Sequence, residues 1–165
     1  MSGDAHPPAT GPGGPADRPE AWPVTASTDL HRDDWVVALR ADRVQAPDAP
    51  EAGSFRRLVL EHPGAAVVLA IDEQERVLCL QQYRHAAGRS FVELPAGLLD
   101  VPGEEPLAVA RRELLEEGGM RAGRWEHLLT TYSSPGISSE VMHTFVARDL
   151  EPADRGDFVP EHEEA

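Results

Sequence analysis

Short runs of apolar residues recur from residue 35 onward, and some of them alternate with other positions. Alternation is typical of a strand with one buried face, and Trp35, Val37 and Leu39 show it. Unbroken apolar runs such as residues 65–71 are typical of strands buried on both faces. The polar residues 72–76 separate this run from the apolar run 77–83, which predicts a hairpin. The pattern predicts strands at residues 35–44, 55–61, 65–71, 77–83, 90–94, 125–132 and 141–147.

One segment, residues 105–117, has the periodicity of a helix. Leu107, Ala110 and Leu114 fall on one side at about 100° per residue, so this side is expected to pack on a sheet. A proline near its start and two glycines directly after it are typical of helix ends. One helix among many strands predicts an α+β fold.

Residues 1–20 hold five prolines, four glycines and no large apolar residue beyond Met1, so we expect a disordered tail. The remaining length suits a single domain. The longest apolar run, 65–71, is too short to span a bilayer, and no leader peptide is visible, so no membrane partner is expected. Because Cys79 is the single cysteine, an internal disulfide is excluded, and we expect a cytoplasmic location.

The chain has 29 acidic and 15 basic residues, for a net charge of −14. This balance argues against a nucleic-acid partner, because affinity for phosphate chains comes from clustered lysine and arginine. All the basic residues are arginines. An acidic protein can still handle phosphates if divalent cations bridge the two.

Three glutamates, Glu113, Glu116 and Glu117, fall within about 100° of arc on another side of the predicted helix. Like charges at these spacings repel one another, and the C-terminal end of a helix disfavours negative charge. A hard divalent cation would offset that cost, since Mg²⁺ binds through carboxylates and substrate phosphates. The three residues alone leave a solvated acidic face open as the alternative.

A longer pattern surrounds these glutamates: a glycine, a glutamate, then Arg-Glu-apolar-any-Glu-Glu-any-Gly-apolar. It is found at Gly97, Glu104 and residues 112–120. The pattern resembles the signature of the Nudix hydrolase superfamily, and its contiguous part would rarely arise by chance. Six residues, not five, separate Gly97 from Glu104, and the extra residue falls in a loop, where an insertion is tolerated.

The resemblance implies a Nudix fold at residues 62–165, with a mixed β-sheet core and the motif helix packed on it. A small strand region at residues 21–61 would precede it. The family typically continues through a last strand and a helix beyond the point where this chain stops, so the domain is expected to be shortened at its C-terminus.

The resemblance also implies a metal site with Mg²⁺ as cofactor and Mn²⁺ as a substitute. Its ligands would be the carboxylates of the three glutamates and one backbone carbonyl: Glu113, Glu116, Glu117 and Ala96. Arg112 would orient Glu113 by charge-assisted hydrogen bonds, with an ordinary surface arginine as the alternative. Glu104 would tie down the loop before the helix.

The flanking residues are similar to the ADP-ribose pyrophosphatase subgroup. The similar segments are residues 62–65, 81–84, 93–97 and 134–136, followed by Glu140. In that subgroup a glutamate after Ser-Pro-Gly is the general base, which here would be Glu140 on a mobile loop. Glu116 is the alternative base, and Glu140 would otherwise only begin a strand.

Substrate contacts follow from the same resemblance. Arg84, Glu93 and Gly136 would contact the substrate. Arg84 would hold phosphates or the terminal ribose, and an Arg84–Glu93 salt bridge is a second, compatible role. The subgroup usually forms homodimers through its N-terminal sheet, so Trp35 would stack the adenine and Arg57 would hold the adenosine half, from the partner chain. For Trp35 a core position is the alternative.

The function implied is Mg²⁺-dependent hydrolysis of the pyrophosphate bond of a nucleoside diphosphate sugar. ADP-ribose, cleaved to AMP and ribose 5-phosphate, is the first choice. Two alternatives stay open: another nucleotide sugar or dinucleotide as substrate, or a non-catalytic nucleotide-binding module.

Overall fold

The computed structural model describes residues 17–156 and residue 158. Most of the predicted disordered tail lies outside the described residues, and residues 17–23 have no regular secondary structure. The strands are β1 (Val24–His31), β2 (Ala38–Gln45), β3 (Ser54–Glu61), β4 (Ala65–Ala70), β5 (Leu80–Arg84), β6 (Arg89–Glu93), β7 (Ala96–Leu98), β8 (Met120–Tyr132) and β9 (Val141–Pro152), and the helix is α1 (Pro106–Glu116).

The described strands form three sheets. Strands β1, β2 and β3 make an antiparallel N-terminal sheet, strands β7, β4, β9 and β8 make a mixed sheet in that order, and β5 pairs with β6 as a hairpin. In the mixed sheet β4 and β9 are parallel, with Ala65 opposite Met142. Parallel neighbours begin at the same edge, so the turn before β4 and the loop before β9 lie side by side.

The hydrophobic core lies between α1 and one face of the mixed sheet. Three helix residues are fully buried: Val109, Ala110 and Leu114. The spacing of apolar residues predicts this for Ala110 and Leu114. They pack on small and medium side chains of the sheet: Ala66, Val68, Ala70, Phe145 and Ala147. Full burial of a Leu or Val side chain stabilises the fold by about 1.5–3 kcal/mol, which fixes the helix on this face.

Trp35 lies outside β2, so the prediction of a strand from residue 35 is wrong at its start. The Trp35 N–H donates to Asp33 Oδ1 at 2.9 Å, which closes a turn. Strand pairing begins only at Ala38, opposite Glu61.

The predicted hairpin of residues 65–83 is wrong in its extent. The polar turn is present, with Asp72 Oδ1 accepting from the N–H groups of Gln74 and Arg76. Beyond it, Ile71 and Val77 form one isolated bridge. The chain then leaves this pairing, and β5 pairs with β6 instead.

No helix in the described part of the chain has the length and apolarity needed to cross a bilayer.

Candidate active site

Arg112 connects the acidic side chains of the motif on α1. Its Nη1 lies 2.7 Å from Glu113 Oε1 and 3.0 Å from Glu116 Oε2, and its Nε lies 3.9 Å from Glu104 Oε1. Burial lowers the pKa of Arg112, but the negative charges of Glu113 and Glu116 outweigh this and raise the pKa above its usual value. The guanidinium therefore stays charged and reduces the repulsion between the two carboxylates.

Glu113 is buried, with 7% of its surface exposed, beneath strand β7. Gly97 of β7 leaves the space for it, because a Cβ at this position would overlap the Glu113 carboxylate. The motif glycine is therefore needed for the close approach of a carboxylate to the strand, at a position where φ is not positive.

Glu117 joins the end of α1 to the start of β7. Its Oε2 accepts a hydrogen bond from the Ala96 N–H at 3.0 Å. The Glu117 N–H donates to the Glu113 carbonyl and so closes the last turn of the helix. The helical carboxylates and the backbone of Ala96 are thus brought to one place, at the junction of α1 and β7.

The donors at this junction are oxygens, which hard divalent cations prefer. Within residues 17–156 no three His, Cys, Asp or Glu side chains converge into a ready-made metal cage. Mg²⁺ does not require one, because it binds through one or two carboxylates, waters and substrate phosphates. Glu104 Oε2 is buried without a hydrogen-bond partner among the described residues, and a cation or a proton would compensate it. The residues fit a hard divalent cation.

Glu140 lies in the loop 133–140, directly before β9. Its Oε2 accepts a hydrogen bond from the Ser133 hydroxyl, and its Oε1 lies 3.8 Å from His62 Nε2.

The strand register separates Glu140 from the motif helix. Ala96 is opposite Val67, which is opposite Thr144, four residues after Glu140. At about 3.3 Å per residue this is about 13 Å along the strands. A carboxylate side chain does not span that distance, so the structure does not bring Glu140 and the Ala96 backbone together.

Arg84 and Glu93 form an ion pair along the β5–β6 hairpin, in which Arg84 is opposite Arg89 next to the turn and Glu93 is opposite Leu80. Arg84 Nη2 lies 2.6 Å from Glu93 Oε2, and Arg84 Nε donates to both carboxylate oxygens at 3.1 and 3.2 Å. This is the salt bridge expected as the second role of Arg84. Gly136 is exposed at the tip of the loop 133–140, and an added Cβ would meet no atom within 4 Å among the described residues.

The geometry of the motif agrees with comparison against known proteins. Residues 60–165 match the family model described as the NUDIX domain. The chain belongs to the Nudix family. The predicted family and the predicted α+β fold are therefore confirmed, with the motif helix packed on a mixed sheet.

Two Nudix relatives differ in the substrate that they are named for. The chain is 40% identical to the ADP-ribose pyrophosphatase of Mycobacterium tuberculosis (strain ATCC 25618 / H37Rv) over 86% of its own length and 66% of the relative. It is 35% identical to the GDP-mannose pyrophosphatase of Cronobacter sakazakii (strain ATCC BAA-894) over 61% of its own length and 56% of the relative. The chain thus spans about two thirds or less of the length of these relatives.

A solved structure described as an ADP compounds hydrolase has a similar fold. The TM-score is 0.69 at 18% sequence identity, and the match covers 91% of this chain and 78% of the other. At this identity the likeness supports the Nudix fold alone.

The two residues expected to bind adenosine, Trp35 and Arg57, precede the matched Nudix domain in sequence. Trp35 is 70% exposed, so the alternative of a core position is wrong. Arg57 lies on β3 with its guanidinium carbon 4.3 Å above the ring of Phe55. Among the described residues, no hydrogen bond or ion pair joins Trp35 or Arg57 to α1 of the same chain.

Two side chains flank the Glu140 carboxylate and were not predicted as site residues from the sequence, His62 and Ser133. His62 is 78 positions from Glu140, and no spacing rule connects residues across that distance. The sequence did hold one signal, the His-Pro-Gly turn directly before β4.

Proposed function

We propose that this chain hydrolyses the pyrophosphate bond of a nucleoside diphosphate sugar with the help of Mg²⁺, and that ADP-ribose is its preferred substrate. The observation that carries the proposal is the junction of α1 and β7. There Arg112 bridges two motif glutamates, and a third glutamate contacts the backbone of Ala96. The similarity to an ADP-ribose pyrophosphatase supports the choice of substrate.

The metal would be held by side chains of α1 and by backbone of β7. The proposed ligands are the carboxylates of Glu113, Glu116 and Glu117 and the carbonyl of Ala96. When bound, Mg²⁺, or Mn²⁺ in its place, would neutralise the charge of the diphosphate and would lower the pKa of a water molecule. Arg112 keeps Glu113 and Glu116 oriented, because its guanidinium contacts both carboxylates.

Glu140 is the proposed general base. In the described conformation it lies beside His62 and Ser133, so its loop has to move toward the junction before it can act. There its carboxylate takes a proton from the attacking water, whose oxygen bonds to phosphorus. The bond from that phosphorus to the bridging oxygen breaks, and AMP and ribose 5-phosphate leave. Glu116 is the alternative base.

Further residues are proposed to contact the substrate. Arg84 would hold phosphate oxygens or the terminal ribose, and its ion pair with Glu93 keeps the guanidinium oriented. Gly136 would let the backbone of the closing loop approach the substrate, because it presents no side chain. Trp35 and Arg57 would bind the adenosine half from the partner chain of a homodimer.

Hydrolysis of another nucleotide sugar is the second candidate function. The similarity to a GDP-mannose pyrophosphatase favours it, and such an enzyme would keep the same carboxylates. A non-catalytic nucleotide-binding module is a weaker candidate, because the three motif glutamates and Glu140 are all retained.

A substrate panel tests the proposal and separates the candidates. ADP-ribose, ADP-glucose, GDP-mannose and NADH are incubated in parallel with the protein and Mg²⁺, and the phosphomonoesters formed are measured. We expect the highest kcat/KM with ADP-ribose and no product from the Glu113→Gln variant. A higher kcat/KM with GDP-mannose would show that GDP-mannose, and not ADP-ribose, is the preferred substrate. No product from any substrate would contradict the proposal that the chain is an enzyme.

A further inference from the structure

The loop 133–140 is fastened to the N-terminal sheet, at the end of its edge strand β3. The Leu60 N–H donates to the Ile137 carbonyl at 2.7 Å, and the Ser139 N–H donates to the Leu60 carbonyl at 3.0 Å. The N–H of His62, directly after β3, donates to Ser139 Oγ at 3.0 Å. These three hydrogen bonds are referred to as the latch.

The strand end that holds the loop is itself held by a network of ion pairs. The two carboxylate oxygens of Glu61, the last residue of β3, each lie 3.1 Å from a guanidinium nitrogen of Arg32, and Glu61 also contacts Arg40. Hydrogen bonds from Arg32 and then from Arg40 hold the pKa of the Glu61 carboxyl below its usual value. The same arginines contact Asp29 of β1 and Asp42 of β2. Because the network joins all three strands, the end of β3 is fixed within its own sheet.

The latch belongs to a conformation in which the proposed base cannot act. Glu140 directly follows Ser139, and the strand register places Glu140 about 13 Å from Ala96 along the strands. The loop therefore has to move before the carboxylate can reach water at the junction of α1 and β7. Because β3 is fixed within its own sheet, it does not follow, and the movement breaks the hydrogen bonds of the latch.

We propose that the latch is a conformational device that keeps the loop 133–140 in its resting position until a bound nucleoside diphosphate sugar draws it toward α1. This rests on the proposed function, in which Glu140 is the general base. Part of the binding free energy of the substrate is used to break the latch, because only molecules with a released loop are competent. A weaker latch should therefore give a more active protein, whereas loss of a contact that supports the site would give a less active one.

Removal of the Ser139 hydroxyl tests the latch through activity. Ser139→Ala lacks the oxygen that accepts the His62 N–H, a contact that is present in the free protein and broken in the transition state. We expect kcat/KM for ADP-ribose to rise about 2–10-fold. Ser139→Thr keeps a hydroxyl and should have the kcat/KM of the unchanged protein. An unchanged or lower kcat/KM in Ser139→Ala would overturn the proposal.

The neighbouring serine provides the matched control. The Ser138 hydroxyl accepts the Glu140 N–H at 3.1 Å, which is a contact within the loop and not with β3, so Ser138→Ala should not raise kcat/KM. In the Glu140→Gln background, Ser139→Ala should raise kcat/KM less than about 2-fold, because the released loop no longer carries a base. Equal rises in the two serine variants, or a full rise in the Glu140→Gln background, would overturn the proposal.

Amide hydrogen exchange tests the release of the latch without activity. ADP-ribose and Mg²⁺ are added to Glu140→Gln, which is expected to bind the substrate without turnover, and exchange of the Leu60 and Ser139 amides is followed by NMR. We expect both amides to exchange about 3-fold faster or more when substrate is bound. The Gln45 N–H, which donates to the Pro23 carbonyl at 3.0 Å at the far end of the same sheet, is the reference and should not change.

The outcomes separate failure of the latch from failure of the proposed function. Binding of ADP-ribose is shown independently by a rise in the thermal midpoint of Glu140→Gln. If the midpoint rises while the Leu60 and Ser139 amides exchange as in the free protein, the latch is overturned and the substrate assignment stands. If the midpoint does not rise and the unchanged protein forms no product, the proposed function fails, and the latch fails with it.

Discussion

Single side chains of the motif are tied to single contacts. Glu113 is buried below β7, where the absence of a side chain at Gly97 makes room for its carboxylate. Glu117 accepts the Ala96 N–H, and Glu140 lies beside His62 and Ser133. Because these contacts differ, substitutions of the three glutamates are expected to have different consequences.

Glu140→Gln and Glu117→Gln should differ in their response to Mg²⁺. Glu140→Gln keeps the size of the side chain but removes its basicity, so we expect kcat to fall by about 10²–10⁴ with KM altered much less. Glu117→Gln retains an oxygen to accept the Ala96 N–H but weakens the metal site, so added Mg²⁺ should recover part of its loss. Steady-state kinetics across a Mg²⁺ series measures both.

The opposite result would change the assignment of the base. If Glu140→Gln keeps a near-normal kcat while Glu116→Gln is inactive at every Mg²⁺ concentration, Glu116 is the base. Glu140 would then have no role in proton transfer.

Gly97→Ala should weaken the proposed metal site, although Gly97 is not one of the proposed ligands. The new Cβ would overlap the Glu113 carboxylate and displace it, so the Mg²⁺ concentration for half-maximal activity should rise about 10-fold or more. Gly123→Ala is the control, because its Cβ would only come within 3.3 Å of the Asp149 Cβ on an exposed side chain. Equal Mg²⁺ requirements in the two variants would show that the close approach is unimportant.

The elements that the sequence predicts are those with a strong apolar period or run. Helix α1 has such a period, and its predicted inward residues Ala110 and Leu114 are fully buried. Strand β1 was missed because every one of its residues is exposed, so no buried face marks it. Strand β7 was missed because it has three residues. The start of β2 was predicted too early, at Trp35, because this residue belongs to a turn at Asp33 that precedes the strand pairing.

The candidate site was predictable to the extent that it is local in sequence. Arg112, Glu113 and Glu116 share one helix, and their spacing alone places them on one arc. The contact of Glu140 with His62 joins two loops through the parallel pairing of β4 and β9, which no local pattern specifies. Only the folded chain shows it.

At the scale of the helix, Mg²⁺ should stabilise the protein against heat. The motif glutamates repel one another at the C-terminal end of α1, and a cation that binds only the native state shifts the unfolding equilibrium toward it. We expect the thermal midpoint to rise in millimolar Mg²⁺ and to stay unchanged in NaCl of equal ionic strength. An equal midpoint in both salts, where Mg²⁺ supports activity, would count against a metal site on α1.

In the N-terminal sheet, Asp42 should make stability depend on pH in acid. Asp42 is buried, and the hydrogen bond from Ser27 at 2.6 Å, followed by that from Arg40, holds the pKa of its carboxyl below the ordinary 3.8. A lowered folded-state pKa means that this stabilisation is complete above about pH 3.8 and is lost as the pH falls through the lower value.

Asp42→Asn tests this directly. We expect it to lower the free energy of unfolding by about 1–2 kcal/mol at pH 7 and by progressively less below pH 3.8, measured by denaturant titration. Asp48→Asn, at an exposed position, is the control and should change the stability little at either pH. A deficit in Asp42→Asn that persists unchanged at pH 2 would contradict the role of its charge.

At the scale of the whole molecule, we expect a two-fold dimer formed through the N-terminal sheet. This sheet exposes apolar side chains that the described part of the chain does not cover, with Val24 54%, Leu30 47% and Leu58 38% exposed, and β1 leaves a free edge. Light scattering at micromolar concentration should give twice the chain mass of 17.9 kDa. A mass of one chain would contradict the dimer. It would also contradict the proposal that Arg57 binds substrate from the partner chain.

A matched pair of variants locates the interface. Leu58→Arg places a charge on the N-terminal sheet and should give a monomer, whereas Leu128→Arg changes a similarly exposed leucine on β8 and should leave the dimer intact. Dissociation by both variants, or by neither, would place the interface elsewhere.

The attachment of the loop 133–140 to residues 60–62 has a consequence for the order of folding. His62 and Ser139 are 77 positions apart, and the parallel pairing of β4 with β9 joins segments that are about as distant. Contacts between distant segments form late, because the entropy of closing the intervening chain is lost before they contribute. Helix α1 and its glutamates can form earlier from local contacts. A folding chain would therefore form the helix that carries the proposed metal ligands before the loop that carries the proposed base is in place.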